Sequence, residues 1–350
     1  MELFDFYKNK RVLVTGHTGF KGSWLCRTLI KAGALVSGYA LTPPTDPALF
    51  SILGLEEEME SEIGDIRDLG RLRDVFERVK PEIVFHLAAQ PIVRDSYKDP
   101  VGTYASNVMG TVHVMECARH CPSVRSLVNV TTDKVYENRE WEYGYREIDR
   151  LDGYDPYSNS KSCSELVTHS YVQSFFGEKD CSVSTARAGN VIGGGDFAND
   201  RIVPDSFRAA AAGKAIVLRN PNSTRPYQHV LEPLKAYMMV AMAQWENKSM
   251  AGAYNVGPDD GGCVTTGQLA DMFCRAWGRG LSWHAESDGG PHEANFLKLD
   301  CSKAKTQLGW QPRLHVEQAV AMAASWYREY LDGGDMRELT DRQIEEFFAL

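Results

Sequence analysis

The chain has 350 residues, 43% of them hydrophobic, and a formal net charge of −9 at pH 7. That size suits one large α/β unit or two domains around a sizeable core, and the negative balance argues against a nucleic-acid or anionic-membrane partner. No run approaches the ~18 apolar residues of a spanning helix. The start, MELFDFYKNKR, has no secretory core, and the eight cysteines include no C-x-x-C pair, so a reduced cytoplasmic protein without a metal site is expected.

Arg11–Thr15 reads as a buried parallel strand running into Gly16-His-Thr-Gly19-Phe-Lys-Gly22. Helical periodicity follows from Ser23 and stops at Gly33, and Ala34–Ala40 is a second strand. This is a β-α-β unit of about thirty residues. The acidic run Glu56–Glu62 suggests a solvated loop, with a strand ending near Ile63. Then come a helix over Asp68–Val79, a strand over Glu82–Leu87, a long helix within Tyr97–Cys121 and a strand over Ser126–Val130. Cys117, His120 and Cys121 in that long helix read as packing residues, not as metal ligands. A helix from Asp155 to about Phe176 and a strand over Ser182–Arg187 complete the alternation.

Beyond Ala188 the texture becomes loop-rich, with helices over Val203–Ala212, Leu231–Glu246, Thr266–Ala276 and Val316–Leu331. The fold expected is α/β, a Rossmann-type doubly wound parallel sheet with a smaller mixed α/β lobe. The expected division is a dinucleotide-binding domain over 1–185, rejoined at about 225–250, a discontinuous substrate lobe over 186–335, and a polar tail over 336–350.

Gly16, Gly19 and Gly22 stand between a strand and a helix, where a tight turn and close backbone approach serve a pyrophosphate on the helix N-terminus. Thr18, Phe20 and Lys21 share that loop. After the second strand, Tyr39-Ala-Leu-Thr-Pro-Pro44 offers no acid before Asp46 for ribose hydroxyls and no Arg for a 2′-phosphate; NAD is favoured over NADP. Lys21 could serve either a 2′-phosphate or the pyrophosphate.

Tyr157 and Lys161 lie four apart at the head of a helix, so a phenol and an ammonium share one face. A neighbouring cation favours phenolate, and such a base beside a nicotinamide takes the proton of a hydroxyl whose carbon loses hydride. Tyr-x-x-x-Lys alone is common by chance, so its context decides. Thr132-Asp133-Lys134 follows the strand ending at Val130, at the carboxyl end where sites of parallel sheets form.

The glycine spacing resembles the extended short-chain dehydrogenase/reductase family. Gly64-Asp65-Ile66 resembles its adenine contact, His86-Leu87-Ala88-Ala89-Gln90 its H-x-A-A segment, and Asn107 stands where that family expects it. The resemblance implies cofactor contacts from Asp65, Ile66, Leu87, Ala88 and Ala89, and a substrate contact from Gln90. It implies a sugar-hydroxyl contact for Thr132. Asp133-Lys134 resembles the CDP-glucose branch of the sugar-nucleotide 4,6-dehydratases; 4-epimerases lack such a pair. Val14–Leu25, Pro43-Pro44-Thr45, Glu137-Asn138, Arg187–Asp196 and Pro291-His-Glu-Ala294 agree with that branch, over roughly residues 8 to 330.

The resemblance implies C4 oxidation by NAD with Tyr157 as base and Lys161 beside it, loss of water across C5/C6, and hydride return to C6. Asp133 would be the acid at C6. Lys134 would be the C5 base if neutral, a state that burial would favour, or an electrostatic stabiliser if charged. Arg225 and Arg201 are expected on the diphosphate, Asn190 on the sugar nucleotide, and His292 and Glu293 near the nucleotide. A homodimer or homotetramer built on the two long helices is implied. A 4-epimerase, or a dehydratase of another nucleotide hexose, is the alternative.

Overall fold

Val12, Leu13 and Val14 present apolar side chains to both faces of their strand, and such a strand belongs in mid-sheet with both faces covered. The computed structural model, which describes residues 2–286 and 296–349, places β1 (Arg11–Thr15) at that position. It pairs in parallel with β2 (Leu35–Ala40) on one side and β4 (Ile83–His86) on the other. The seven-stranded sheet runs β11-β6-β5-β4-β1-β2-β3. Its other members are β3 (Glu60–Ile63), β5 (Ser126–Val130), β6 (Ser182–Ala188) and β11 (Ala253–Val256), and these pairings are parallel too.

Alternate residues feed two separate cores. Leu13, Val84, Leu127 and Val183 point to one; Val12, Val14, Ile83, Phe85, Val128 and Val130 point to the other. The first core is closed by α4 (Leu69–Val79) and α7 (Gly110–His120), through Leu72, Phe76, Val114 and Met115. The second is closed by α2 (Phe20–Lys31) and α10 (Leu231–Glu246), through Trp24, Leu29, Leu234 and Tyr237. The alternation is what makes the sheet doubly wound.

The long helix expected within 97–121 is broken. Asp99 has φ −133° and ψ 77°, its side chain accepts from Gly102 N, and Pro100 opens a new helix. A residue before proline is disfavoured in the helical region, so α5 (Val93–Lys98) and α6 (Pro100–Tyr104) are separate pieces. A π-helical turn, Ala105–Met109, then joins α6 to α7. The helix α8 (Pro156–Tyr171) starts cleanly, because Asp155 caps Ser158 N and Pro156 sits in the first turn, where no N–H is missed.

The acidic run is not wholly a loop. Glu60–Ile63 is the edge strand β3, and Arg78 and Arg71 from α4 engage Glu60 and Glu62. The tail past Gly333 is a helix, Met336–Ala349, which buries Met336, Leu339, Ile344 and Phe347. Its Asp341 and the loop residue Glu58 both take the guanidinium of Arg27 on α2. Outside the sheet, α9 (Ile202–Ala211) and the helices Thr266–Trp277 and Val316–Leu331 pack with short strand pairs beyond the carboxyl ends of β5 and β6.

Candidate active site

The glycine loop is shaped by contact. Gly16 has φ +78°, a left-handed conformation that favours glycine, and a Cβ there would lie 2.7 Å from Ala88 N. A Cβ on Gly22 would lie 2.1 Å from Gly16 O. The loop therefore closes against its own helix and against Leu87–Ala88. Gly19 precedes α2 with no side-chain cap, so the first-turn N–H groups stay available to an anion. Thr18 Oγ1 donates to Leu41 O at 2.9 Å and ties the loop to the end of β2. His17 is buried over Gly38 with Nε2 2.7 Å from Ser61 Oγ, and burial lowers its pKa to about 4, so the imidazole is neutral. Ile66 is buried against Gly110, whereas the Asp65 carboxylate is held by Arg67. These residues fit a dinucleotide: a cradle that a methyl group would fill, an uncapped helix end, and a small-residue wall at Leu87–Ala89.

Lys21 has Arg201, Asp133 and Asp196 as its electrostatic neighbours. Burial lowers its pKa to about 8, with Arg201 adding to the fall and the two carboxylates opposing it.

β5 delivers the second group. Beyond Val130, Thr132 caps a short 3-10 turn over Asp133–Val135. The Thr132 hydroxyl donates to Asp133 Oδ1 at 3.1 Å and lies close enough to Tyr157 to favour its phenolate. Asp133 is 1% exposed, and its Oδ2 has no hydrogen-bond partner among the described residues. Burial raises its pKa against the opposing pull of Lys134, Thr132, Arg225 and Lys21. A buried carboxyl of this kind is held toward its protonated form.

Lys161, on α8, is buried and donates to Val130 O at 3.0 Å. Its pKa falls to about 8, through burial first, then Lys21, with Glu165 opposing. For Tyr157 the outcome differs from the expected phenolate. Burial dominates and pushes it up to about 12, although Thr132 and Arg201 pull the other way. In the ligand-free chain Tyr157 is a phenol. Lys134 adjoins Asp133 but is only half-buried, not enclosed as expected.

Thus the structure brings Thr132, Asp133, Tyr157, Lys161, Lys21, Arg201 and Arg225 together. Arg225 is buried and close enough to act on Asp133. Arg201, half-buried before α9, donates to Asp196 Oδ2 at 2.9 Å. Asn190 lies in the turn after β6, its carbonyl accepting from Gln228 N. Gln90 is hydrogen-bonded within the chain: its amide donates to Thr103 Oγ1 and Ile92 O and accepts from Ile92 N. These bonds tie Gln90, in the loop after β4, to Ile92 and to Thr103. His292 and Glu293 lie outside the described residues.

Two groups escaped the sequence reading. Asp196 ends the Gly193-Gly194-Gly195 run, which was visible as a loop but not as a carboxylate aimed at Arg201. Glu165 is one turn past Lys161 on the same helix stripe; the spacing 157, 161, 165 was the available signal.

The model of the GDP-mannose 4,6 dehydratase family matches residues 13–323. The CDP-glucose 4,6-dehydratase of Salmonella typhimurium is 47% identical over 351 residues, covering 99% of this chain and 98% of its own length. The dTDP-glucose 4,6-dehydratase of Haemophilus influenzae is 25% identical over 90% of this chain and 97% of that one. Among solved structures, the dTDP-glucose 4,6-dehydratase of Bacillus anthracis in complex with NAD superposes with a TM-score of 0.76 at 20% identity, covering 92% of this chain and 98% of that one. The UDP-glucose 4-epimerase of Thermotoga maritima gives 0.77 at 21% identity, over 91% and 99%. At those identities the structural matches speak for the fold alone.

Proposed function

Because the chain belongs to the GDP-mannose 4,6-dehydratase family, we propose that it is an NAD-dependent CDP-glucose 4,6-dehydratase, a hydro-lyase that converts CDP-D-glucose to CDP-4-keto-6-deoxy-D-glucose. Bound NAD supplies a hydride acceptor for C4 and a hydride donor for C6. The chain supplies the rest. The glycine loop and the N-terminus of α2 would hold the pyrophosphate of the cofactor, and Leu87–Ala89 and Ile66 would contact the rest of it.

Tyr157 takes the proton of the C4 hydroxyl, with Thr132 orienting that hydroxyl. Its phenol must lose its own proton first, and Lys161 and Arg201 are the cations that favour this. The 4-keto group makes the C5 proton acidic. Asp133 gives its proton to the C6 hydroxyl, which leaves as water. Lys134 is assigned to C5: when neutral it takes the C5 proton and gives one back to C5 as hydride returns to C6, and when charged it stabilises the enolate while another group carries that proton both ways. Arg225 and Arg201 take the diphosphate, and the nucleotide sugar is received by the lobe formed from 186–335.

The observation that carries this reading is the Asp133 carboxyl. It is buried, held toward its protonated form, left with an unpartnered oxygen among the described residues, and within electrostatic reach of Tyr157. Chemistry confined to C4 needs one base. Loss of water at C6 needs an acid as well, and this site has both. A nucleotide-sugar 4-epimerase is the second reading, since such enzymes share the fold. Incubation with CDP-, dTDP- and GDP-linked hexoses, followed by mass measurement, decides between them. Loss of one water from CDP-glucose is expected; products of unchanged mass from every substrate refute the dehydratase.

Self-association as a homodimer or homotetramer is supported by exposed apolar side chains on α5–α8, among them Val101 at 79% and Leu166 at 56% exposure. Light scattering checks it. Free cysteines at all eight positions accord with a cytoplasmic setting.

A further inference from the structure

The stripe of α8 that carries Tyr157 and Lys161 continues to Glu165. This carboxylate is 4% exposed, yet it forms an ion pair with Arg187 of β6, whose side chain is equally buried. Glu165 Oε1 accepts from Arg187 Nε at 3.0 Å and from Thr131 Oγ1 at 2.5 Å. Its Oε2 accepts from Arg187 Nη2 at 2.9 Å and from Thr185 Oγ1 at 2.7 Å. Arg187 Nη1 in turn donates to Tyr136 OH at 2.8 Å and to Glu147 O at 3.1 Å. Tyr136 OH donates onward to Asn255 Oδ1 at 2.6 Å, on the edge strand β11.

The pattern of attachment is informative. Thr131 immediately precedes the Thr132-Asp133-Lys134 turn, and Tyr136 closes it. Both flanks of the turn are bolted to one ion pair, while the neighbouring carbonyl of Val130 is held by Lys161. The pair therefore connects the helix bearing the C4 base with the turn bearing the C6 acid. A buried ion pair is weak as a source of stability, because desolvation offsets its attraction. Fixed geometry is the better reason for this one.

We infer that Glu165, paired with Arg187, is a positioning residue that sets the Thr132-Asp133-Lys134 turn in register with Tyr157 and Lys161 on the sugar ring. The inference rests on the dehydratase reading above. Neither side chain contacts substrate in this scheme. Their effect is exerted through Thr131 and Tyr136, and through the charge that Glu165 presents to Lys161.

Three variants test it with CDP-glucose as substrate: Glu165→Gln, Tyr136→Phe, and Glu165→Met/Arg187→Met. In Glu165→Gln, water elimination should slow by about 10²-fold, the scale of loss for a misplacement of about 1 Å. KM should stay within about threefold. Reduction of the nicotinamide in a single turnover should fall less than elimination does. The alkaline limb of kcat should also move to lower pH, because Lys161 loses an anion that favours its charged form. The other groups that act on Lys161 or feel its charge, Lys21 and His86, are unchanged in this variant.

The double methionine variant replaces the pair by apolar side chains of similar reach. It should melt near the parent temperature, as such replacements often do, and remain slow. Recovery of the parent elimination rate by a folded double variant overturns the inference. If that variant does not fold, Tyr136→Phe decides, since it removes the link from Arg187 to the turn, together with the bond from Tyr136 to Asn255, and leaves the ion pair itself intact. A parent ratio of elimination to nicotinamide reduction in Tyr136→Phe overturns the inference; a lowered ratio supports it. A parent enzyme that removes no water from CDP-glucose refutes the dehydratase reading, and this inference falls with it. A parent that does so while all three variants match it refutes the positioning role alone.

Discussion

Replacing Asp133 by Asn should separate activity from stability in opposite directions. The side chain is 1% exposed and leaves Oδ2 without a hydrogen-bond partner. Asn has nearly the same shape and can still accept from Thr132, but it cannot give a proton to the C6 oxygen. A positioned general acid contributes about 10²–10⁴-fold in rate, so elimination should slow by that factor, equivalent to about 3–5 kcal/mol of barrier. C4 oxidation, which uses Tyr157, should survive.

Stability should move the other way. Burial raises the pKa of Asp133 above its unfolded value. The acid form is therefore tolerated below the unfolded pKa, and that advantage is lost as pH rises toward the folded one. At neutral pH the native carboxyl carries an ionisation or protonation penalty that Asn lacks. Asn still leaves a polar atom at the Oδ2 position, so what it relieves is the cost of ionisation, taken as on the order of 1 kcal/mol. For a chain of this length the melting temperature should rise by about 1–4 °C, less whatever Lys134, Arg225 and Lys21 lose as partners. The assays are mass measurement of the product, nicotinamide absorbance in a single turnover, and thermal melting. Water loss at the parent rate would show that Asp133 is not the acid.

Lys134→Ala should abolish most dehydration while retaining some C4 oxidation; a 4-keto-6-deoxy product formed at the parent rate refutes its assignment. Gly22→Ala places a methyl 2.1 Å from Gly16 O and should weaken NAD binding at least about tenfold, read by fluorescence titration, despite a helix propensity gain of about 1 kcal/mol. Glu232 is buried and its pKa rises to about 6, from burial first, while Glu232 Oε1 accepts from Arg313 N and Leu314 N. Glu232→Gln keeps that acceptor. It should therefore melt higher than the parent above pH 6, by an amount on the order of 2 kcal/mol, with the gap closing as pH falls toward 4.5. A gap that does not change with pH refutes the ionisation as its cause.

Tyr157 shows where reading a sequence and reading a structure part company. Spacing on a helix places Lys161 one turn away, and a nearby cation lowers a phenol's pKa. The sign of the net shift depends on how completely water is excluded, and that is decided by the packing of α8, the turn after β5 and Arg201 together. Burial prevails in the ligand-free chain. Gln90 is a similar case: its motif was legible, but its Thr103 partner comes from tertiary packing. The break at Pro100 was written in the chain and needed only the rule for residues before proline.

What the sequence determined by itself is the periodic and the local: strands apolar on both faces, the glycine loop ahead of α2, and the 157/161 stripe. These follow from backbone geometry, in which neighbours along the chain fix what shares a face. Tertiary structure alone decided the ion pair of Glu165 with Arg187 and the state of the buried acid and phenol. Those depend on which separate strands and helices pack together, and on a local dielectric that exists only once they have closed around the site.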